Sequence, residues 1–305
     1  MLIKILPYFQ EKIWGSQRLK EFNFKFDSKL KIGEAWVVSG YNSKSSFVPF
    51  FNLNLDQLWI KNPNFIFGKI KKYQEFPLLI KFLDANDDLS IQVHPDDKII
   101  NQKLIFGKPE CWYVLKPPIN QKLIYGHNAL NKTEFLNLTK QKQWKKLFKY
   151  VSVKENDFLY VPPGKVHALT TKAMVLEIQK SCDITYRIYD YDRLGLNQKK
   201  RPLHLKQALE TIQFPDSNNK IINLKNNLLL KTNFFTIHVF NTFENKKEIL
   251  FPIVNNWAII VILEGKGFIN DNFVIKGESY ILSYQKTQNL KINPNLKVII
   301  SNLTN

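Results

Sequence analysis

The chain has 305 residues, with 44 Lys and Arg against 26 Asp and Glu and a formal charge of +18 at pH 7. At 44% hydrophobic and 13% aromatic residues it can bury a substantial core, which excludes wholesale disorder. Its longest apolar run, Trp257–Leu263, is far too short for a membrane-spanning helix.

Met1–Pro7 lacks a basic segment followed by a long apolar one, so no secretory signal is expected. Cys111 and Cys182 cannot build a disulfide framework and have no Cys-x-x-Cys flank, which predicts a reducing, cytoplasmic setting. Lysines are scattered through every segment, and the densest run, Lys199-Lys200-Arg201, is short. Compositional bias therefore explains the charge better than a nucleic-acid interface, while a positive field suits a small anionic substrate. Neither nucleic acid nor a membrane is an expected partner.

Taken in order, the chain predicts short strands at Glu34–Ser39, Leu78–Leu83, Cys111–Leu115, Phe158–Val161, Val175–Ile178 and Thr185–Tyr189. Closely spaced Pro, Gly, Asn and Asp clusters between them argue for a β-sandwich or barrel. Helices are expected at Asn54–Ile60, at Asn131–Phe148 with a capping-box-like start at Asn131 and Glu134, and at Leu203–Ile212 behind Pro202. The polar break Phe214–Asn219 sets a boundary between residues 1–215 and a second strand-rich region, 216–305. The first part carries a helical insertion at about 128–150.

Four stretches carry side chains suited to chemistry. In Ser90-Ile91-Gln92-Val93-His94 the alternation of a strand puts Ser90, Gln92 and His94 on one face, a wet or metal-bearing face or else a solvent edge. In Lys108-Pro109-Glu110-Cys111 the same alternation pairs Lys108 with Glu110, which alone reads as an ordinary surface pair, and leaves Cys111 as a small buried hydrophobe. Val161-Pro162-Pro163-Gly164-Lys165-Val166-His167 runs a strand into a stiff turn that aims a histidine. Pooled, Gln92, His94, Glu110 and His167 make a two-nitrogen, two-oxygen donor set for a borderline divalent ion with room for water or substrate. The fourth stretch, Asp183–Arg193, alternates Asp183, Thr185, Arg187 and Tyr189 onto one side. There Arg187 is a permanent cation for an oxyanion or phosphate, oriented by Asp183, unless the two are only a structural pair.

These stretches, with Ile32-Gly33-Glu34-Ala35-Trp36, Asp192-Arg193-Leu194-Gly195 and Arg201-Pro202-Leu203-His204, resemble type I mannose-6-phosphate isomerases of the short bacterial form, in the family's order and over roughly the first two thirds of the chain. The resemblance implies a mainly β fold of two jelly-roll (cupin) β-barrels, the first metal-binding and the second metal-free. It implies one Zn²⁺ per chain on Gln92, His94, Glu110 and His167, a catalytic Arg187, and Lys108 and Asp183 in the same pocket. Gln92 replaces a histidine of the wider cupin pattern, and Thr171 stands where that pattern often has Asn. The implied activity interconverts mannose 6-phosphate and fructose 6-phosphate through an enediol. The substrate phosphate is placed against the Arg193–Arg201 loop, and the assembly is a monomer or homodimer. The competing readings are a non-haem iron cupin oxygenase and a non-catalytic binder of sugar phosphate or nucleic acid on the same scaffold.

Overall fold

A computed structural model describes all residues except 42, 62, 70–72, 101–102, 218–226, 244–246 and 305. The fold is mainly β with few helices, and most strands belong to three sheets. The six-stranded sheet runs Phe158–Val161, Glu110–Lys116, Met174–Lys180, Leu78–Asp84, Ile32–Ser39 and Tyr8–Ser16, each pair antiparallel. The five-stranded sheet runs Phe148–Ser152, Lys122–His127, His167–Ala168, Ile91–Val93 and Tyr186–Tyr189, also antiparallel. The seven-stranded sheet holds the strands from Leu228 to Leu303 together with Leu2–Ile5, whose Leu2 faces Leu282.

Alternation along the strands divides the side chains between cores. Trp112 and Val114 point toward Leu123 and Tyr125 of the five-stranded sheet. Cys111 and Tyr113 point the other way, toward Trp257, Ile259 and Val261 of the seven-stranded sheet. The continuous apolar run at 257–263 follows the same rule, since Ala258, Ile260 and Ile262 fill a separate core on the opposite face. A strand buried on both faces has no solvent side to mark with polar residues. The outer face of the five-stranded sheet, with Ile91, Val93, Ile124 and Ile188, is covered by Phe135, Leu138 and Ala208 of the helices.

Phe158–Val161 falls where the pattern predicts it, and the other five predicted strands lie within or one residue beyond the observed ones. Helices occur at Leu55–Lys61 and Leu205–Thr211, close to expectation. The single helix expected at Asn131–Phe148 is instead two, Lys132–Lys140 and Trp144–Leu147, and Phe148 opens a strand. Lys142 between them takes φ +54°, a left-handed conformation that ends a helix. The predicted start holds: the Asn131 side chain accepts from Glu134 N at 3.0 Å, and Glu134 Oε2 accepts from Leu130 N at 2.8 Å. Asn131→Ala is expected to lower stability by about 1 kcal/mol in a denaturant titration. Of the polar break, residues 218 and 219 lie outside the described ones. Among the described residues no helix is long and apolar enough to cross a membrane.

Candidate metal centre and active-site cavity

Three elements of the five-stranded sheet and the start of one inner strand of the six-stranded sheet converge. His167 lies directly opposite Gln92, and Gln92 directly opposite Arg187, on neighbouring antiparallel strands. Residues opposite one another in such a pair share a face, so all three side chains project to the same side. That side faces Glu110, the first residue of its strand in the six-stranded sheet.

The turn and loop geometry fixes the two imidazoles. His94 Nδ1 lies 2.8 Å from the Ile184 carbonyl, and His167 Nδ1 lies 2.8 Å from the Lys165 carbonyl. A carbonyl accepts only, so each Nδ1 carries a proton and each Nε2 is the nitrogen turned toward the other donors. Gly164, at φ +80° in the Pro-Pro-Gly turn, donates its N–H to the His94 carbonyl at 3.0 Å, which ties the two histidine motifs together. The turn is thus a positioning device for both histidines, as its stiffness suggests.

Both Nε2 atoms point at Glu110: His167 Nε2 is 3.2 Å from Oε1 and His94 Nε2 is 3.4 Å from Oε2. These donor atoms all lie within 4.8 Å of one another, and the three side chains are buried. The Gln92 amide nitrogen is 3.4 Å from His167 Nε2, so its amide end reaches the same point. Lys108 Nζ stands 3.1 Å from Glu110 Oε2 and 3.2 Å from His94 Nε2. Burial opposes charge on Glu110, but Lys108 and then the two imidazoles hold its carboxyl well below the usual carboxylate range. Burial, reinforced by Lys108, keeps His94 neutral.

Neither oxygen of Glu110 has an aligned hydrogen-bond donor, although both are buried. An ionised, buried carboxylate with the Lys108 ammonium at one oxygen and two imidazole nitrogens turned toward it is an arrangement that a divalent cation between them would stabilise. Donors 3.2–3.4 Å apart also match the separation across a tetrahedral angle for ligands about 2.1 Å from a shared ion. The residues present therefore fit a divalent metal.

Above this cluster opens a cavity of about 260 Å³, lined by Gln92 and Lys108 together with Lys12, Glu34, Lys44, Lys81, Glu177, Asp183, Thr185, Arg187 and Arg201. Six of its side chains are cationic and three anionic. Lys12 pairs with Glu34, Lys44 with Asp183 and Lys81 with Glu177, at 3.0–3.2 Å. Among the described residues the Arg187 guanidinium has no ion-pair or hydrogen-bond partner, which leaves it available to an anionic ligand.

The expected residues thus come together with three exceptions. Asp183 does not orient Arg187; it pairs with Lys44 at 3.0 Å. Tyr189 leaves the shared face, because the register shifts between Arg187 and Tyr189 and turns its ring onto Trp144 at 4.3 Å. Of the Arg193–Arg201 loop, Arg201 lines the cavity and is itself held by Asp190, through Nε at 2.7 Å. Arg193 also binds Asp190, while Lys200 is exposed and pairs with Asp192.

The buried Lys81–Glu177 pair, 3.2 Å apart, escaped the sequence reading. Its signal was visible: a lysine amid Leu78-Leu79-Ile80-Lys81-Phe82-Leu83 and a glutamate amid Val175-Leu176-Glu177-Ile178 must face something polar. Trp112 Nε1 donates to Glu177 Oε2 at 3.1 Å. Removing one partner strands the other, so Lys81→Met is expected to cost about 3 kcal/mol, read as a lowered urea midpoint.

The family model for phosphomannose isomerase type I, catalytic domain, matches residues 2–115. Mannose-6-phosphate isomerase ManA of Bacillus subtilis is 34% identical over 299 residues, covering 91% of both chains. A crystal structure of the mannose 6-phosphate isomerase from Bacillus subtilis aligns with a TM-score of 0.88 at 32% identity, over 98% of this chain and 99% of that one. A mannose 6-phosphate isomerase solved with zinc and yttrium aligns over the whole of both chains with a TM-score of 0.76, and at 15% identity it bears on the fold alone.

Proposed function

The chain belongs to the type I mannose-6-phosphate isomerase family, and from that premise we propose that it interconverts D-mannose 6-phosphate and D-fructose 6-phosphate with one bound Zn²⁺. The observation that carries this reading is the donor cluster of His94, Glu110 and His167, with Gln92 beside it, beneath a cavity richer in cations than anions.

Conversion of the open-chain aldose to the ketose takes the proton from C2 and delivers one to C1 through an enediol. The unfavourable moment is the build-up of negative charge on the sugar oxygens. A divalent ion on Gln92, His94, Glu110 and His167 supplies Lewis acidity toward those oxygens without a redox change. Lys108 and Arg187 add fixed positive charge in a recessed site, where it counts for more than in bulk water. Lys108 is held firmly cationic: burial is the largest single influence and disfavours its charge, but Glu110, Glu177 and Asp183 together outweigh it. Asp183, tied to Lys44, shapes the opposite wall of the cavity. Arg201, the residue of the Arg193–Arg201 loop that lines the cavity, is the basic group we assign to the substrate phosphate end.

At the level of architecture we propose that residues 1–215, apart from Leu2–Ile5, which joins the seven-stranded sheet, form the metal-binding jelly roll and 216–305 a metal-free one. The support is that the five- and six-stranded sheets face each other across one core while the seven-stranded sheet keeps a core of its own.

A coupled assay on mannose 6-phosphate, run before and after chelation, tests the function. Turnover that is lost on chelation and restored by zinc is expected. Full turnover in metal-free protein would contradict it, and oxygen consumption with bound iron would point to the oxygenase alternative.

A further inference from the structure

The Arg187 side chain reaches the cavity with no neighbouring side chain to fix its direction, because among the described residues its guanidinium has no ion-pair or hydrogen-bond partner. Its aim therefore depends on its backbone. That backbone belongs to Tyr186–Tyr189, the last strand of the five-stranded sheet, and the register slips directly after Arg187. A strand paired on one side only is the part of a sheet that opens most readily. A cation that must stay aimed from such a place needs support on its free edge.

His204 gives that support. After Tyr189 the chain turns and comes back alongside the strand, so that Arg201 Nε meets Asp190 Oδ2 at 2.7 Å and His204 meets Arg187. The His204 N–H donates to the Arg187 carbonyl at 2.8 Å, and the Arg187 N–H donates to His204 Nδ1 at 3.2 Å. Both polar backbone groups of Arg187 thus turn outward and are satisfied by one residue, which fills the place of a further strand. An N–H needs an acceptor, so Nδ1 carries a lone pair and the ring proton is on Nε2. Burial, and then the Arg187 charge, lower the His204 pKa and keep the ring a neutral acceptor. His204 is itself anchored: its carbonyl accepts from Ala208 N at 2.8 Å at the start of the helix Leu205–Thr211. Ala208 and Ile212 share one core with Ile91, Val93 and Ile188, the residue after Arg187.

We propose that His204 is a positioning residue for the isomerase reaction: it pins the Arg187 backbone at the sheet edge and so aims the guanidinium at the charge developing on the substrate. The proposal rests on the isomerase reading and adds to it a residue that does not line the cavity. It also accounts for the stretch Arg201-Pro202-Leu203-His204 as one unit, with Arg201 on the cavity and His204 behind the strand.

The test uses the intact, zinc-loaded chain. His204→Phe keeps a ring and removes the acceptor, whereas His204→Asn keeps an acceptor at the Nδ1 position. His204→Phe is expected to lower kcat at least about tenfold, since a displacement of about 1 Å can cost about a hundredfold. KM and zinc content are expected to stay unchanged, and His204→Asn to restore most of kcat. In an Arg187→Ala background His204→Phe is expected to add no further loss, because its effect runs through a side chain that is gone. Amide hydrogen exchange reads the contact without activity: the Arg187 N–H is expected to exchange at least about tenfold faster in His204→Phe than in the wild-type chain or His204→Asn. Should His204→Phe fail to fold, His204→Ala takes its place with the same expectations. Unchanged kcat in the folded variant, an equal further loss in the Arg187→Ala background, or zinc lost along with activity would overturn the proposal. A wild-type chain without isomerase turnover would remove the functional reading and this proposal with it, an outcome told apart from a failed clamp by an intact exchange pattern.

Discussion

Glu110→Ala is expected to abolish isomerase activity and to lower bound metal by at least about a hundredfold, on the scale of losing a charged ligand from a buried site. The glutamate is the only carboxylate in the donor cluster, and both of its oxygens are buried without aligned donors. Removing it leaves two imidazoles and an amide facing the Lys108 ammonium, which stands 3.1 Å from Glu110 Oε2 in the intact site. That ammonium would then repel an incoming cation with its nearest carboxylate partner gone. Metal content after dialysis, with circular dichroism as a check on folding, reads the outcome. Full metal occupancy in a folded Glu110→Ala variant would remove Glu110 from the ligand set.

Arg187→Ala is expected to keep the metal while lowering kcat by about 10²–10³, the loss typical of one oxyanion-stabilising donor. Arg187 sits on the strand next to Gln92 but contacts none of the donor atoms, so metal binding has no reason to fail. Its guanidinium is half-buried, and burial followed by the neighbouring Arg201 charge lowers its pKa from the ordinary value. A cation held under that tension interacts strongly with developing negative charge. Steady-state kinetics separate the roles: a raised KM with unchanged kcat would make Arg187 a residue of uniform substrate binding.

The proposed donor cluster was legible because each donor sits in a context that its residue type does not need for packing. His94 follows a polar residue two positions earlier on a strand, and His167 follows a Pro-Pro-Gly turn. The turn does more than stiffness implies, since Gly164 N–H binds the His94 carbonyl and joins stretches 70 residues apart, a long-range contact that no local pattern displays. Lys108 was grouped with Glu110 by strand alternation, yet the strand begins at Glu110, and the pairing arises from the reach of a long side chain.

The misreadings share one cause, which is that periodicity carries no information about bulges or tertiary partners. Extended alternation from Asp183 to Tyr189 ignores the register shift that sends Tyr189 outward. Asp183 was assigned to Arg187, four residues on, whereas it pairs with Lys44, distant in the chain. The apolar spacing from Phe135 to Phe148 reads as one helix because both helices and the following strand bury their residues in the same core. Lys81 and Glu177 went unnoticed because each lies inside a continuous apolar run that reads simply as buried strand.

The most direct test of the central claim is an anomalous-scattering map from crystals of the zinc-loaded chain. One ion bonded by the side chains of Gln92, His94, Glu110 and His167 is the predicted result. An ion held elsewhere, or one that leaves His167 beyond bonding reach, would contradict the account.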